Sequence, residues 1–239
     1  MRWDPAIAAL LLGLSVAYAD EGGPSPNTTG LTEEEIEQGF VSLFDGKTLR
    51  GWQGWLGGLD DYVVENGVLI YKEGGSKGNL YTIKEYSDFI FRFEFKLVPG
   101  GNHGVGIRAP LKARPHLAGM EIQILDDYAP RWAHLKPCQY HGSIYCCVPA
   151  KRGHLKPAGQ WNSEEIMCQG SRVRVTLNGA VILDVDLDTL GDKRPSGEPY
   201  PPGLKRRKGH VGFDGYGIRT EFRNIRIKDL SKGDAGRPP

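Results

Sequence analysis

The chain reads as an all-β protein, an antiparallel jelly-roll sandwich, and three observations point there. Apolar and polar residues alternate in many short runs, the period-two pattern of strands with one buried face. Thirty-three Gly and sixteen Pro punctuate those runs, as a fold with many turns requires. No helical pattern of useful length interrupts them, which excludes βαβ units and a parallel sheet. The 239 residues suit one large all-β domain or two small ones, and no repeat or composition break divides residues 39–230. A formal net charge of +1 without a wide basic stripe argues against nucleic acid as a partner.

Residues 1–19 have the form of a signal peptide: Arg2, an apolar run over 6–16, then Ala17-Tyr18-Ala19 before Asp20. The run is too short to span a bilayer comfortably, so no stable membrane span is expected. The protein is expected to be exported, periplasmic or extracellular, with an uncleaved anchor as the alternative. Residues 20–38 are Gly/Pro/Ser/Thr-rich, then acidic, and read as a flexible linker with at most one helical turn. The tail, residues 231–239, is polar and expected to be disordered.

Within 39–230, Phe40-Val41-Ser42-Leu43-Phe44 opens the domain and Asn66-Gly67 marks a hairpin over 63–71. Residues 89–97 place four Phe on one face, with Arg92, Glu94 and Lys96 on the other. In 102–108, Val105 and Ile107 point inward while Asn102, Gly104, Gly106 and Arg108 share the opposite face. Glycine inside a strand marks a close approach to the backbone. A second hairpin turns at Asn178-Gly179, and strands follow over 210–213 and 220–228. The stretch around which the rest is arranged is 119–126. Met120, Ile122 and Ile124 take the core face, which leaves Glu121 and Gln123 together on the other. Asp126 has the wrong parity to join them unless a bulge re-aims it. This face is a ligand surface, or else an ordinary sheet face in water.

Residues 127–162 are irregular, rich in Pro, His and Cys, and placed to wall a site. Cys138, Cys146, Cys147 and Cys168 are even in number in an exported chain, so at least one disulfide is expected, with Cys138 to one of the doublet and Cys168 to the other. A zinc site is the weaker reading because no CxxC unit is present. The run Lys205-Arg206-Arg207-Lys208 is a solvated charge run or an anion site.

Several segments together resemble the 3-keto-disaccharide hydrolase domain family (DUF1080), a concanavalin A-like jelly roll. They are Gly39 to Leu49 with Gly51-Trp52, Asn102-His103-Gly104 with Arg108, Glu121-Ile122-Gln123-Ile124-Leu125-Asp126, Gly142-Ser143-Ile144-Tyr145, Trp161-Asn162 and Phe222-Arg223-Asn224-Ile225-Arg226-Ile227. The resemblance spans about 39–230. Two segments depart from it. The family usually has Asn-Ser-Gly where Asn102-His103-Gly104 stands, and Gly-Leu-Gln-x-His-Gly where Gly212-Phe213-Asp214-Gly215-Tyr216-Gly217 stands.

The resemblance implies cleavage of glycosides oxidised at C3, with a divalent metal in some members. A C3 ketone acidifies the C2 proton; a base removes it, a cation or donor holds the enolate, and the C1 substituent leaves. In these terms Glu121 is the base and Arg108 the electrophile, assisted by His103 or Tyr145. Asp126 or Asp214 is the acid, or a metal ligand, with Glu121 and Asp126 as the candidate metal pair. Asn102, Gln123, Asn162 and Asp214 would bind sugar hydroxyls and Trp161 would stack on the ring, unless it packs in the core. Two other functions remain open. A lectin-like module would bind sugar without chemistry. A retaining endoglucanase would need Glu-x-Asp-x-x-Glu, where this chain has Glu121, Gln123 and Asp126.

Overall fold

The computed structural model describes residues 31–231 except Lys77 and Pro195. The expected signal peptide, the first part of the linker and nearly all of the tail lie outside the described residues. Thirteen strands follow in order: β1 Phe40–Ser42, β2 Trp52–Trp55, β3 Tyr62–Glu65, β4 Val68–Tyr71, β5 Asn79–Thr82, β6 Phe89–Leu97, β7 Asn102–Ala109, β8 Met120–Leu125, β9 Trp161–Gln169, β10 Arg172–Leu177, β11 Ala180–Asp186, β12 His210–Gly215 and β13 Thr220–Asp229. They form two antiparallel sheets. One has eight strands in the order β11-β10-β9-β6-β13-β4-β3, with β1 added on β13; the other has five, β2-β5-β12-β7-β8. This is the expected jelly-roll sandwich.

The two sheets close on an aromatic core. Phe89, Phe91, Phe93 and Phe95 are all fully buried on β6, each contributing about 1.5–3 kcal/mol by leaving water. Phe213 of β12 stacks on Phe222 of β13 at 4.0 Å, joining one sheet to the other. Both hairpins turn as expected: Asn66 and Gly67, and Asn178 and Gly179, all have positive φ, the requirement of a two-residue type I′ turn.

Three short helices, α1 Glu33–Glu37, α2 Gly58–Asp61 and α3 Pro115–Ala118, decorate the sandwich. The first falls at the end of the expected linker, where one helical turn was expected. Thr32 and Glu35 form a capping box, and Glu35 pairs with Arg92 and Arg226 at 2.9 Å each, so the chain is docked on the outer face of the long sheet from there on. No helix among the described residues is long and apolar enough to cross a membrane.

The expected disulfide does not form. All four cysteines are free thiols. Cys168 sits at an inward position of β9, opposite Phe89 and Val173, while Cys138, Cys146 and Cys147 line one pocket under the long loop. Burial pushes the Cys147 and Cys168 thiols up to about 12, which leaves little thiolate to react.

Candidate active site

The functional side chains stand on the outer face of the five-stranded sheet, and strand register decides which of them meet. One row across β2, β5, β12, β7 and β8 reads Trp55, Asn79, Asp214, Gly104, Gln123; the next reads Gln53, Tyr81, Gly212, Gly106, Glu121. Three of these positions are glycine for a physical reason. A Cβ on Gly104 would lie 2.5 Å from Glu121 Oε1, and one on Gly106 would lie 2.7 Å from the Tyr81 ring and 3.1 Å from Asp214 Oδ2. One on Gly212 would also meet the Tyr81 ring, at 2.7 Å. What approaches the glycine backbone is the site itself, because Glu121 and Tyr81 lie flat across it.

Two carboxyl groups with different surroundings result. Asp214 is buried, and Tyr81 Oη donates to its Oδ1 at 2.5 Å while Asn79 Nδ2 donates to Tyr81 Oη at 3.1 Å. Burial, and then the charge of Glu121, hold Asp214 well above the usual carboxylate range and favour its protonated form. Its Oδ2 is buried without a partner. Glu121 is buried too, and receives the Tyr216 hydroxyl at 2.9 and 3.0 Å on its two oxygens. Burial and Glu121 push the Tyr216 phenol upward, so it remains a donor. His116 Nδ1, on α3, lies 3.3 Å from Glu121 Oε2 but is not aligned for a hydrogen bond.

The edge of β8 is extended by the loop: Tyr145 N donates to Glu121 O and Gly142 N to Gln123 O, each at 2.8 Å. Tyr145 then meets His116 edge-to-face at 5.8 Å. Trp55, Leu56, Ser76, Asn79, Arg114, Pro115, His116, Gly215 and Tyr216 enclose a cleft of ≈ 270 Å³ beside the carboxyl pair.

Of the residues expected from sequence, the site therefore unites Glu121, Asp214 and Tyr145. Gln123 shares the face and donates to Asn102 Oδ1 at 2.7 Å, with its own Oε1 buried and unpartnered. Five others do not join. Arg108 has φ 49, beside a register shift in β12, and its donors go to Ser87 O and Gly170 O at 2.8 Å and to Asp88 at 3.1 Å. It braces sheet ends and cannot face an enolate. His103 has the parity of Val105 and lies fully buried among Tyr62, Tyr71, Phe213 and Phe222; burial lowers it to about 3. Asp126 ends β8 and accepts from Gly100 N and Tyr128 N. Trp161 lies on the other sheet, between Lys96 and Arg223. Asn162 accepts from Lys156 N and Asn178 Nδ2. The basic run over 205–208 is no anion site either: Arg207 reaches Asp188 at 2.5 Å, and Arg206 and Lys208 flank Glu85.

A divalent metal does not fit these donors. Asp126 is turned onto backbone amides, both Glu121 oxygens accept from Tyr216, and among the described residues no three His, Cys, Asp or Glu are grouped to hold a cation.

The sequence reading missed Tyr216, Tyr81, Asn79, His116 and Trp55. One signal pointed to the first: Asp214 and Tyr216 occupy the family's Gln and His positions in the segment Gly212 to Gly217. The departure at His103 falls in the core, whereas this one falls in the site and re-equips it with an acid and a phenol.

Comparison with known proteins bears on the family and the fold. A 3-keto-disaccharide hydrolase of Bacteroides thetaiotaomicron is 26% identical over 230 residues, covering 80% of this chain and 79% of that protein. The crystal structure of a putative glycosyl hydrolase from Parabacteroides distasonis superposes with a TM-score of 0.71 at 26% identity, covering 84% of this chain and 98% of that one. A Bacillus subtilis protein of unknown function with a galectin-like fold, 12% identical, matches in fold alone, with a TM-score of 0.51 over 85% of this chain and 94% of that one. Residues 39–228 match the 3-keto-alpha-glucoside-1,2-lyase-like domain, and the chain belongs to that family.

Proposed function

We propose that this protein cleaves glycosides already oxidised to a ketone at C3, by removing the C2 proton and expelling the C1 substituent. Water then adds across the C1–C2 double bond, so the net reaction is hydrolysis. The observation that carries the reading is the placing of two buried carboxyl groups on one sheet face, Glu121 held by the Tyr216 hydroxyl and Asp214 by the Tyr81 hydroxyl. Burial and the Glu121 charge favour the protonated form of Asp214, which assigns it the acid's part and leaves the base's part to Glu121. Family membership and the relative's name support a carbohydrate-active, hydrolase-type function.

Each group has a task. The Glu121 carboxylate takes the C2 proton, with the Tyr216 hydroxyl holding it in one orientation. The negative charge moves to the C3 oxygen, where the protonated Asp214 carboxyl would donate from Oδ2, which has no partner among the described residues. Tyr81, bonded to Oδ1, fixes which oxygen carries that proton. Such donors in a partly dry site are typically worth about 2.7–4 kcal/mol each to an oxyanion. His116 stands beside Glu121, placed to meet the departing oxygen. The endoglucanase reading loses its second carboxylate, since Asp126 is bonded away from Glu121. Export, resting on residues 1–19, would place this reaction in the periplasm or outside the cell.

The test is Glu121→Gln. Turnover of a 3-keto-glucoside should be abolished while sugar binding largely survives. A lectin-like module would show no turnover in the wild type, and the same change would only weaken binding.

A further inference from the structure

We propose that Trp55 forms the leaving-group subsite of the cleft and selects glycosides whose aglycone carries a ring. The inference rests on the reading above only for which end of the cleft holds the reacting sugar.

Four tryptophans are described, and three are satisfied inside the chain. Trp52 donates to Leu43 O at 2.7 Å and stacks on Phe213; Trp132 donates to Gly100 O at 3.2 Å; Trp161 lies between two cations. Trp55 has none of these. Among the described residues its indole N–H meets no acceptor and its ring no aromatic or cationic neighbour, yet it is half-buried in the cleft wall. A tryptophan offers a flat apolar face and one donor, which suits a ring with oxygen at its edge.

Its position is outward from the chemistry. Trp55 shares a row with Asn79 and Asp214, so two strand spacings, about 10 Å, separate it from the acid. His116 and Trp55 line the same cleft, so a C1 substituent whose oxygen meets His116 would extend through that cleft to Trp55. The wall is also braced. Asp61 accepts from Ser76 N and Gly78 N at 2.9 Å each, and Ser76 Oγ donates to Leu56 O at 3.2 Å. Leu56, next to Trp55, is held at φ 55 and 55% exposed, an apolar lip in a conformation that costs energy. Arg114 lines the same cleft and disfavours a cationic aglycone.

The test needs no turnover. In the Glu121→Gln background, methyl and phenyl glucosides, each with and without the C3 ketone, are titrated by calorimetry. The phenyl compounds should bind about tenfold more tightly than the methyl compounds. Trp55→Ala should bring that preference close to one, and Trp55→Phe should retain most of it. A preference that survives Trp55→Ala, or an equal loss on both ligands, overturns the subsite. If the unoxidised pair shows the Trp55-dependent preference while wild type turns over neither ketone, the subsite stands and the reaction assigned above fails.

Discussion

Tyr81 donates its hydroxyl to Asp214 Oδ1 at 2.5 Å and thereby leaves Oδ2 of the same carboxyl buried and free. That hydrogen bond occupies Oδ1, so in the proposed reaction Oδ2 is the oxygen that carries the proton. The expected electropositive partner of the enolate was Arg108. In the proposed reaction the Asp214 carboxyl, backed by the Tyr81 phenol, takes that place, an arrangement able to hold an oxyanion without a cation.

Asp214→Asn tests this arrangement through stability as well as rate. The folded-state value of Asp214 is raised above its ordinary 3.8, so between the two the native state binds more protons than the unfolded one. Its contribution is complete below 3.8 and is lost as pH rises toward the folded value. Asp214→Asn should therefore raise the melting temperature at pH 8 relative to wild type and flatten the alkaline side of the stability profile. An amide can still donate toward the C3 oxygen, so kcat should fall less than in Asp214→Ala.

His103 has the opposite sign. Burial lowers it from 6.5 to about 3, so the unfolded chain binds more protons in that window, and stability is lost as pH falls through it. His103→Phe should make the protein less sensitive to acid between pH 6 and 4 in thermal melts. Its turnover at pH 7 should stay within a few-fold of wild type, since the His103 ring packs among core aromatics and its only polar contacts among the described residues are with Tyr62 Oη and Gly104 O.

Arg108→Ala should act on folding. Removing a fully buried guanidinium with three bonded donors leaves the Ser87 and Gly170 carbonyls without their donors, while the partly exposed Asp88 keeps the Gly170 amide, a cost of about 3–5 kcal/mol. Thermal melts should show a fall of roughly 6–20 °C, while kcat of the folded fraction at low temperature stays near wild type.

Gly104→Ala should do the reverse. The added methyl would sit 2.5 Å from Glu121 Oε1 and 2.9 Å from its Cγ, so the base must shift. A misplacement of that order costs about 10²-fold in rate. Steady-state kinetics should show kcat reduced by that order, with Gly104→Ala still folded by circular dichroism.

Much of this was legible in the sequence, and the parts that were not share a cause. β6 could be read because four phenylalanines alternate without exception, and the hairpins because Asn-Gly demands one turn type. β9 goes unmarked, its first two residues falling in the irregular stretch 127–162, because Asn162 and Glu164 occupy its inward positions and polarity hides the alternation. β2 and β5, with four residues each, are too short to show a period, and they carry Trp55, Asn79 and Tyr81. Glu121 and the glycines of β7 could be placed on one face by parity alone. Arg108 could not, because a positive φ reverses the face that parity assigns.

The most direct test of the central claim is the fate of the C2 hydrogen. A 3-keto-glucoside and its unoxidised parent are incubated with wild type in deuterated water, and the released sugar is followed by proton NMR against an enzyme-free control. Abstraction by Glu121 followed by hydration predicts cleavage of the ketone alone, with deuterium at C2 of the product and neither cleavage nor label in Glu121→Gln. Cleavage of both substrates with C2 hydrogen retained would mean direct protonation of the glycosidic oxygen, and would contradict the mechanism.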